Sequence, residues 1–171
     1  MSRTYPKKVS IEEMVSHSNF ILVIEIDQSS YNIVKVKKNF FNSKDVKYYQ
    51  AKTLEVLKTP SMEDGRLVYE DFSLAKETLK NMDILDIEKI KAGDKIQIFN
   101  LWDLYDKRKP KKGKSYYVYS LADQAPVEDE KIIFFAADYS EELRAFQPYR
   151  TGSGFVRYSA ENVEKIKSYI K

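Results

Sequence analysis

Cysteine is absent from the 171 residues of the chain, and histidine occurs only once, as His17. The absence of cysteine excludes disulfide frameworks, thiolate zinc sites, iron–sulfur clusters and cysteine nucleophiles. A single histidine excludes metal sites that need several histidine ligands. No apolar run approaches the roughly 18 residues of a membrane-spanning helix, and the longest, residues 20–24, has the length of a strand. The sequence therefore predicts no metal, no cofactor and no membrane partner.

The charge balance and the length are those of an ordinary globular domain. The chain carries 29 basic and 26 acidic residues, a net charge of +3, and 43% of its residues are hydrophobic. This predicts a single domain, residues 1–171, with a sizeable core, and the mild positive charge does not by itself indicate nucleic-acid binding. The first residues are polar and lack the apolar segment of a signal peptide. We therefore expect a cytoplasmic protein, or a periplasmic or secreted one if a leader has been removed.

The first half of the chain predicts a helix followed by three strands. Ser10 and Glu13 form a capping box, which predicts a helix over residues 10–18. Residues 20–26 are dense in β-branched residues and predict a buried strand. Two further strands are predicted at 31–41 and 46–58. A turn at 27–30 precedes the first of them, a break at 42–45 separates the two, and Pro60 ends the second.

The second half predicts a helical insertion, more strands and a closing helix. Residues 61–92 change character and predict two short helices or one kinked helix. Strands are predicted at 95–102, 115–121, 131–136 and 155–158, and a C-terminal helix begins after Ser159. The fold class is therefore mainly β (α+β). We predict an OB-type β-barrel of five to seven strands with an N-terminal helix, a helical insertion and a C-terminal helix.

The order of several segments resembles a known family. The N-terminal helix and residues 18–26 are followed by similar segments at 49–58, 93–98, 113–119 and 152–155. This order resembles bacterial domains related to the tissue inhibitors of metalloproteases and netrin modules, and the resemblance implies a five-stranded barrel of OB type. The inhibitors of this family coordinate the zinc ion of a protease through their N-terminal cysteine. That cysteine is missing here, so the resemblance implies the fold and does not imply protease inhibition.

The most conspicuous local motif is a basic loop, in which six of the eight residues 107–114 are lysine or arginine. Strands are predicted on both sides, and Pro110 and Gly113 indicate a hairpin tip. Such a tip can contact phosphates or an acidic protein, and tyrosines just beyond it can serve as stacking platforms. A solvated hairpin tip explains the same lysines without any ligand. The candidate binding residues are Lys107, Arg108, Lys109, Lys111, Lys112, Lys114, Tyr117 and Tyr119.

The residues that usually perform catalysis form no convincing constellation. Neighbouring acidic residues occur at 12–13, 63–64, 128–130 and 141–142, but none has the spacing of a metal-binding loop or of a tuned acid–base pair. His17 lies at a predicted helix end, where a surface or capping role accounts for it. Gly152 and Gly154 lack the third glycine and the following helix of a phosphate loop and predict a tight corner instead. We therefore predict no catalytic residue and no enzyme activity.

Two functions remain open from the sequence. The first is a non-catalytic domain that binds another protein, such as an inhibitor or an immunity protein that neutralises a toxin. The second is a nucleic-acid-binding OB-fold protein that uses the loop 107–114 and the adjacent tyrosines. Because lysine far outnumbers arginine, bidentate reading of base edges is disfavoured. The sequence favours the protein-binding function.

Overall fold

The computed structural model describes residues 9–38, 42–60, 72–99, 131–149 and 154–170, and the described part is mainly β. Its helices are α1 (Ile11–His17), α2 (Lys76–Asn81), a 3₁₀ helix (Ile87–Lys89) and α3 (Ala160–Tyr169). Its strands are β1 (Phe20–Lys38), β2 (Asn42–Lys58), β3 (Phe72–Leu74), β4 (Lys95–Phe99), β5 (Lys131–Ser140), β6 (Ala145–Pro148) and β7 (Phe155–Arg157).

Both terminal helices begin where the sequence predicts. The Oγ atom of Ser10 accepts a hydrogen bond from the Glu13 amide at 3.2 Å, and Ser159 accepts one from the Asn162 amide at 3.0 Å. These bonds satisfy amide groups that a helix start leaves without partners inside the helix. The helix predicted over 10–18 is thus confirmed as α1 and the C-terminal helix as α3.

Five of the described strands pair in a closed circuit. β1 pairs antiparallel with β2, and β2 pairs antiparallel with β4. β4 then pairs parallel with β6, β6 antiparallel with β5, and β5 antiparallel with β1. β3 extends the sheet beyond β1, and β7 pairs with β5. The sheet is therefore mixed, and the segments 20–26 and 46–58, which the sequence predicts as strands, pair with each other.

The predicted turn at 27–30 and the predicted strand break at 42–45 are wrong. β1 runs unbroken through 27–30, although its register against β2 shifts between Ile26, which faces Ala51, and Tyr31, which faces Tyr49. Pairing with β2 resumes on both sides of the irregular segment, so the chain does not reverse there. Residues 42–45 belong to β2 because they pair with 35–38 of β1. Cross-strand pairing outweighs their weak intrinsic preference for strands.

Other element boundaries were predicted in part. The described part of the insertion, residues 72–92, contains two short helices, which is the first of the two predicted alternatives, and also the short strand β3. β5 extends four residues beyond the predicted 131–136, and β6 was not predicted at all. The predicted strand 115–121 and the end of the strand 95–102 lie outside the described residues.

The strands bury side chains on both of their faces. The alternate residues Phe20, Leu22 and Ile24 of β1 join a cluster to which every strand of the circuit contributes. Ile21, on the opposite face, packs instead with apolar residues of α1 and α3. A third cluster combines one face of β1 and β2 with β3. Because successive side chains of a strand point to opposite faces, this double burial explains the continuous apolar run at 20–24.

Candidate functional site

A cleft of about 440 Å³ lies against β1, β2 and β4. Its floor comes from the three strands, one wall comes from α2 and the loop after it, and one end comes from β5 and the turn between β5 and β6. The strands supply Asn32, Val34, Tyr48, Gln50, Lys95, Ile96 and Gln97. The insertion supplies Thr78, Asn81, Met82, Asp83 and Leu85, and the end is formed by Tyr139 and Arg144.

Strand register brings the floor residues together. Asn32 faces Tyr48 across β1 and β2, and Gln50 faces Gln97 across β2 and β4. Directly opposed side chains lie about 4.5–5.5 Å apart at Cβ, so each pair forms a continuous patch. Gln50 also lies opposite the irregular segment of β1. The floor is therefore polar at the point where the pairing of β1 and β2 is least regular.

The insertion forms a wall that is lightly anchored to the strands. All six residues of α2 are at least partly exposed, and its N-cap residue is Ala75, whose side chain cannot accept a hydrogen bond. Half-buried Leu79 and Met82 pack against the apolar cluster that includes Val36 and Val46. A six-residue helix is too short to be stable alone, so these contacts and the neighbouring turn hold it in place.

Arg144 anchors the end of α2. Its Nη1 atom donates hydrogen bonds to the carbonyl oxygens of Leu79 and Met82, both at 3.3 Å. These carbonyls lie at the C-terminal end of α2, where the helix dipole favours a cation. The backbone of Arg144 has φ +50°, a left-handed conformation that costs a non-glycine residue roughly 1–2 kcal/mol. The hydrogen bonds to α2 offset this cost and explain why an arginine serves at a position that suits glycine.

Two buried tyrosines lie beside Arg144. The Tyr48 hydroxyl donates to the Leu143 carbonyl oxygen at 2.8 Å and so ties β2 to the turn 141–144. Burial, with a smaller contribution from nearby Tyr139, raises the pKa of Tyr48 far above its ordinary value. Burial also raises the pKa of Tyr139 to about 12, while the Arg144 guanidinium opposes the rise and the Glu141 carboxylate adds to it. Both hydroxyls therefore remain neutral hydrogen-bonding groups at neutral pH.

We expect the protein to lose stability as the pH rises from about 10 toward 12. A raised tyrosine pKa means that the folded state holds its proton more tightly than the unfolded chain, in which tyrosine titrates near 10. The contribution is complete below pH 10 and is lost as the pH approaches the folded-state value. Urea unfolding between pH 9 and 12 measures the loss. The free energy of unfolding of Tyr139→Phe should fall less between pH 9 and 12. An equal fall in the variant would show that ionisation of Tyr139 does not cause the loss.

The binding residues predicted from the sequence all lie outside the described residues. They are Lys107, Arg108, Lys109, Lys111, Lys112, Lys114, Tyr117 and Tyr119. Their role in binding remains a prediction.

Other motifs from the sequence have structural roles. His17 is exposed at the end of α1 and stacks on Tyr149, with ring centroids 6.2 Å apart. Glu142 accepts a hydrogen bond from the Ser140 hydroxyl within the turn that follows β5. A Cβ atom on Gly154 would lie 3.0 Å from the carbonyl oxygen of Phe135, which fits the predicted tight corner.

Sequence reasoning missed the cleft because its residues come from distant segments. Asn32, Gln50, Gln97 and Arg144 share no local motif. The one available signal was the presence of amide side chains inside segments that otherwise predict strands. Such a residue is unusual on a covered strand face and indicates that the face is open at that point.

The described residues show neither a metal site nor a membrane helix. Within 9–38, 42–60, 72–99, 131–149 and 154–170, no three histidine, aspartate or glutamate side chains are grouped to hold a metal ion. No helix in these ranges is both long and apolar enough to cross a membrane.

No family model matches the chain, and no curated protein is significantly similar to it. These comparisons therefore assign no function to the cleft.

Proposed function

We propose that the protein is a non-catalytic binding domain whose cleft receives a segment of another protein. The observation that carries this proposal is the chemistry of the lining. Amide side chains, which both donate and accept hydrogen bonds, stand on three strands and on α2. A peptide backbone presents the complementary donors and acceptors at every residue. The amides are Asn32, Gln50, Asn81 and Gln97.

The charges of the cleft also favour a protein over a nucleic acid. Asp83 lines the same cleft as Lys95 and Arg144, so the lining is not uniformly positive. Proteins that bind single strands combine a positive groove with exposed aromatic faces on which bases stack. Tyr48 and Tyr139 are only 1% and 6% exposed and offer no such platform. The nucleic-acid alternative depends on the basic loop 107–114, which lies outside the described residues.

We further propose that the strand circuit is a β-barrel of OB type. Its first strand, β1, meets both the second and the fourth strands, β2 and β5, and its third and fifth strands, β4 and β6, are parallel. OB barrels bind ligands on the face of their second and third strands and on adjoining loops. The cleft uses the second and third strands of this circuit, β2 and β4, together with the turn between the fourth and the fifth. This placement supports both the fold and the binding role.

The chemistry of the cleft gives little support to an enzyme. General acid–base catalysis needs two titratable groups whose pKa values are tuned around the working pH. The pKa values of Tyr48 and Tyr139 are both raised, away from neutrality. An inhibitor or a toxin-neutralising immunity protein fits a cleft that binds without reacting.

Substitution of Gln50 tests whether partner binding uses the cleft. Gln50 is exposed, so Gln50→Arg should preserve the fold while filling the floor and adding an unpaired charge. We expect a partner captured from native lysate by the unaltered protein to bind this variant at least tenfold more weakly, because disruption at an interface centre typically costs 1–2 kcal/mol or more. Titration of the purified pair by calorimetry gives the measurement.

Ser168→Arg provides the matched control. It introduces the same side chain at an exposed position of α3, away from the cleft, and should bind normally. Equal binding by the two variants would reject the cleft as the partner site. A sub-micromolar oligonucleotide complex at about 0.15 M salt that is abolished by replacing Lys109, Lys111 and Lys112 with serine would favour the nucleic-acid function instead, because non-specific contacts reach only about 10⁻⁴–10⁻⁶ M.

A further inference from the structure

The guanidinium of Arg144 has N–H groups that the described residues do not use. Among these residues, only its Nη1 atom donates hydrogen bonds, to the carbonyl oxygens of Leu79 in α2 and of Met82 just after it. Within the described part of the chain, Nη2 and Nε have no hydrogen-bond or ion-pair partner. A guanidinium has five N–H groups, and the edge formed by Nη2 and Nε matches the two oxygens of a carboxylate or phosphate.

The surroundings of this group favour an anion from outside the chain. Arg144 is half-buried and lines the end of the cleft beside Tyr139. Removing a charge from water is costly unless the charge is paired, so a half-buried guanidinium with an unused edge gains most from an anionic ligand. The hydrogen bonds to α2 hold the side chain in place before the ligand arrives, which lowers the entropy that binding must offset.

The neighbouring acids limit the charge that this ligand can carry. Asp83 lines the cleft, and the Glu141 carboxylate is close enough to Tyr139 to influence its hydroxyl. A dianion such as phosphate would be attracted about twice as strongly by the guanidinium but also repelled about twice as strongly by both acids, so the two acids offset what a second negative charge would gain. A carboxylate carries a single negative charge and still forms two hydrogen bonds with the guanidinium edge.

We infer that the Arg144 end of the cleft binds a carboxylate of the partner protein, supplied by an acidic side chain or by a chain terminus. This inference rests on the proposed function, since the carboxylate belongs to the segment that enters the cleft. The rest of the segment lies over the amide-bearing floor. Arg144 thereby fixes the direction in which the segment lies.

Titration with small carboxylates, followed by NMR at the Arg144 Nε–Hε group, tests the inference. N-acetylglycine represents a chain terminus, and N-acetylaspartate with both backbone ends blocked represents an acidic side chain. We expect saturable shifts at about millimolar concentration for at least one of them. The tighter of the two identifies the source of the carboxylate. N-acetylglycinamide, which is uncharged, and inorganic phosphate should bind at least several-fold more weakly.

Two variants separate recognition from a purely structural role of Arg144. Arg144→Gln should weaken carboxylate binding at least tenfold. Asp83→Asn keeps the contacts between Arg144 and α2 but removes a repelling charge at an exposed position, and it should tighten carboxylate binding about two- to threefold at low salt. If Arg144→Gln does not fold, the affinity of Asp83→Asn for carboxylates decides whether the inference holds.

Three outcomes would overturn the inference. The first is that the carboxylates shift the Nε–Hε signal no more than N-acetylglycinamide does, and the second is that phosphate binds more tightly than both carboxylates. The third is that Asp83→Asn leaves the affinity for carboxylates unchanged. The failure of the inference is distinguishable from that of the proposed function. If Gln50→Arg weakens binding of the partner protein but small carboxylates do not bind, only the carboxylate inference fails. If small carboxylates bind but Gln50→Arg leaves the affinity for the partner protein unchanged, the proposed protein-binding role of the cleft fails.

Discussion

Leu22→Asp is expected to abolish cooperative folding. Leu22 is fully buried in the cluster shared by the strands of the circuit. It faces Val56 of β2 on one side and Phe134 of β5 on the other, so β1 cannot shift to expose the new carboxylate. An unpaired buried charge costs several kcal/mol, which is comparable to the whole stability of a domain. Ile24→Asp should have the same effect because Ile24 is fully buried in the same cluster.

Circular dichroism and thermal melts check this expectation, with Asn32→Asp as the matched control. Asn32 is on the same strand and receives the same carboxylate, but its side chain is exposed. We expect the control to melt within a few degrees of the unaltered protein. A cooperative, near-normal melt of both Leu22→Asp and Ile24→Asp would show that this face of β1 is not in the core.

Local sequence signals predicted the elements whose cause is local. Ser10 and Ser159 cap the helices that follow them, and the apolar residues 20–26 form a strand that is covered on both faces. The chain also provides no strand-breaking proline within β1 or β2. These features depend on neighbours within a few residues, so they could be identified without knowledge of the fold.

Features that depend on pairing between distant segments were not predictable in the same way. Residues 27–30 have the composition of a turn but remain in β1 because β2 pairs on both sides of them. β6 has four residues and includes Pro148, so it has little strand character of its own. It lies between β5 and β4 and pairs with the backbones of both strands.

The cleft was unpredictable for the same reason. Gln50 and Gln97 become neighbours only through the register of β2 and β4, and Arg144 reaches α2 across more than sixty intervening residues. The insertion matters here because it forms one wall of the cleft over an otherwise open strand face. Its residues Leu79 and Met82 cover the apolar part of that face and leave the polar part accessible.

Phe146→Ala should produce a large loss of stability without preventing folding altogether. The ring of Phe146 is fully buried and makes edge contacts with Phe20, Tyr139 and Phe134 at centroid distances of 5.1, 4.9 and 6.3 Å. Truncation of a buried phenylalanine to alanine costs about 3–5 kcal/mol, because packing contacts are lost and a cavity remains. Aromatic edge contacts of this kind add about 0.5–1.5 kcal/mol each.

Because of the position of Phe146, the loss of stability in Phe146→Ala should be greatest near the pairing of β4 with β6. Its backbone faces Ile98 in the parallel pairing of β4 with β6, through which the described strand circuit closes. Urea unfolding measures the free energy, and amide hydrogen exchange should accelerate more at Ile98 than at Val23, which lies in the long pairing of β1 with β2. Phe146→Leu keeps most of the side-chain volume and should cost only about 1–2 kcal/mol. Equal, small losses in the free energy of unfolding of the two variants would mean that the aromatic contacts do not limit the stability of the circuit. Equal acceleration of amide exchange at Ile98 and Val23 would mean that the β4–β6 pairing does not limit it.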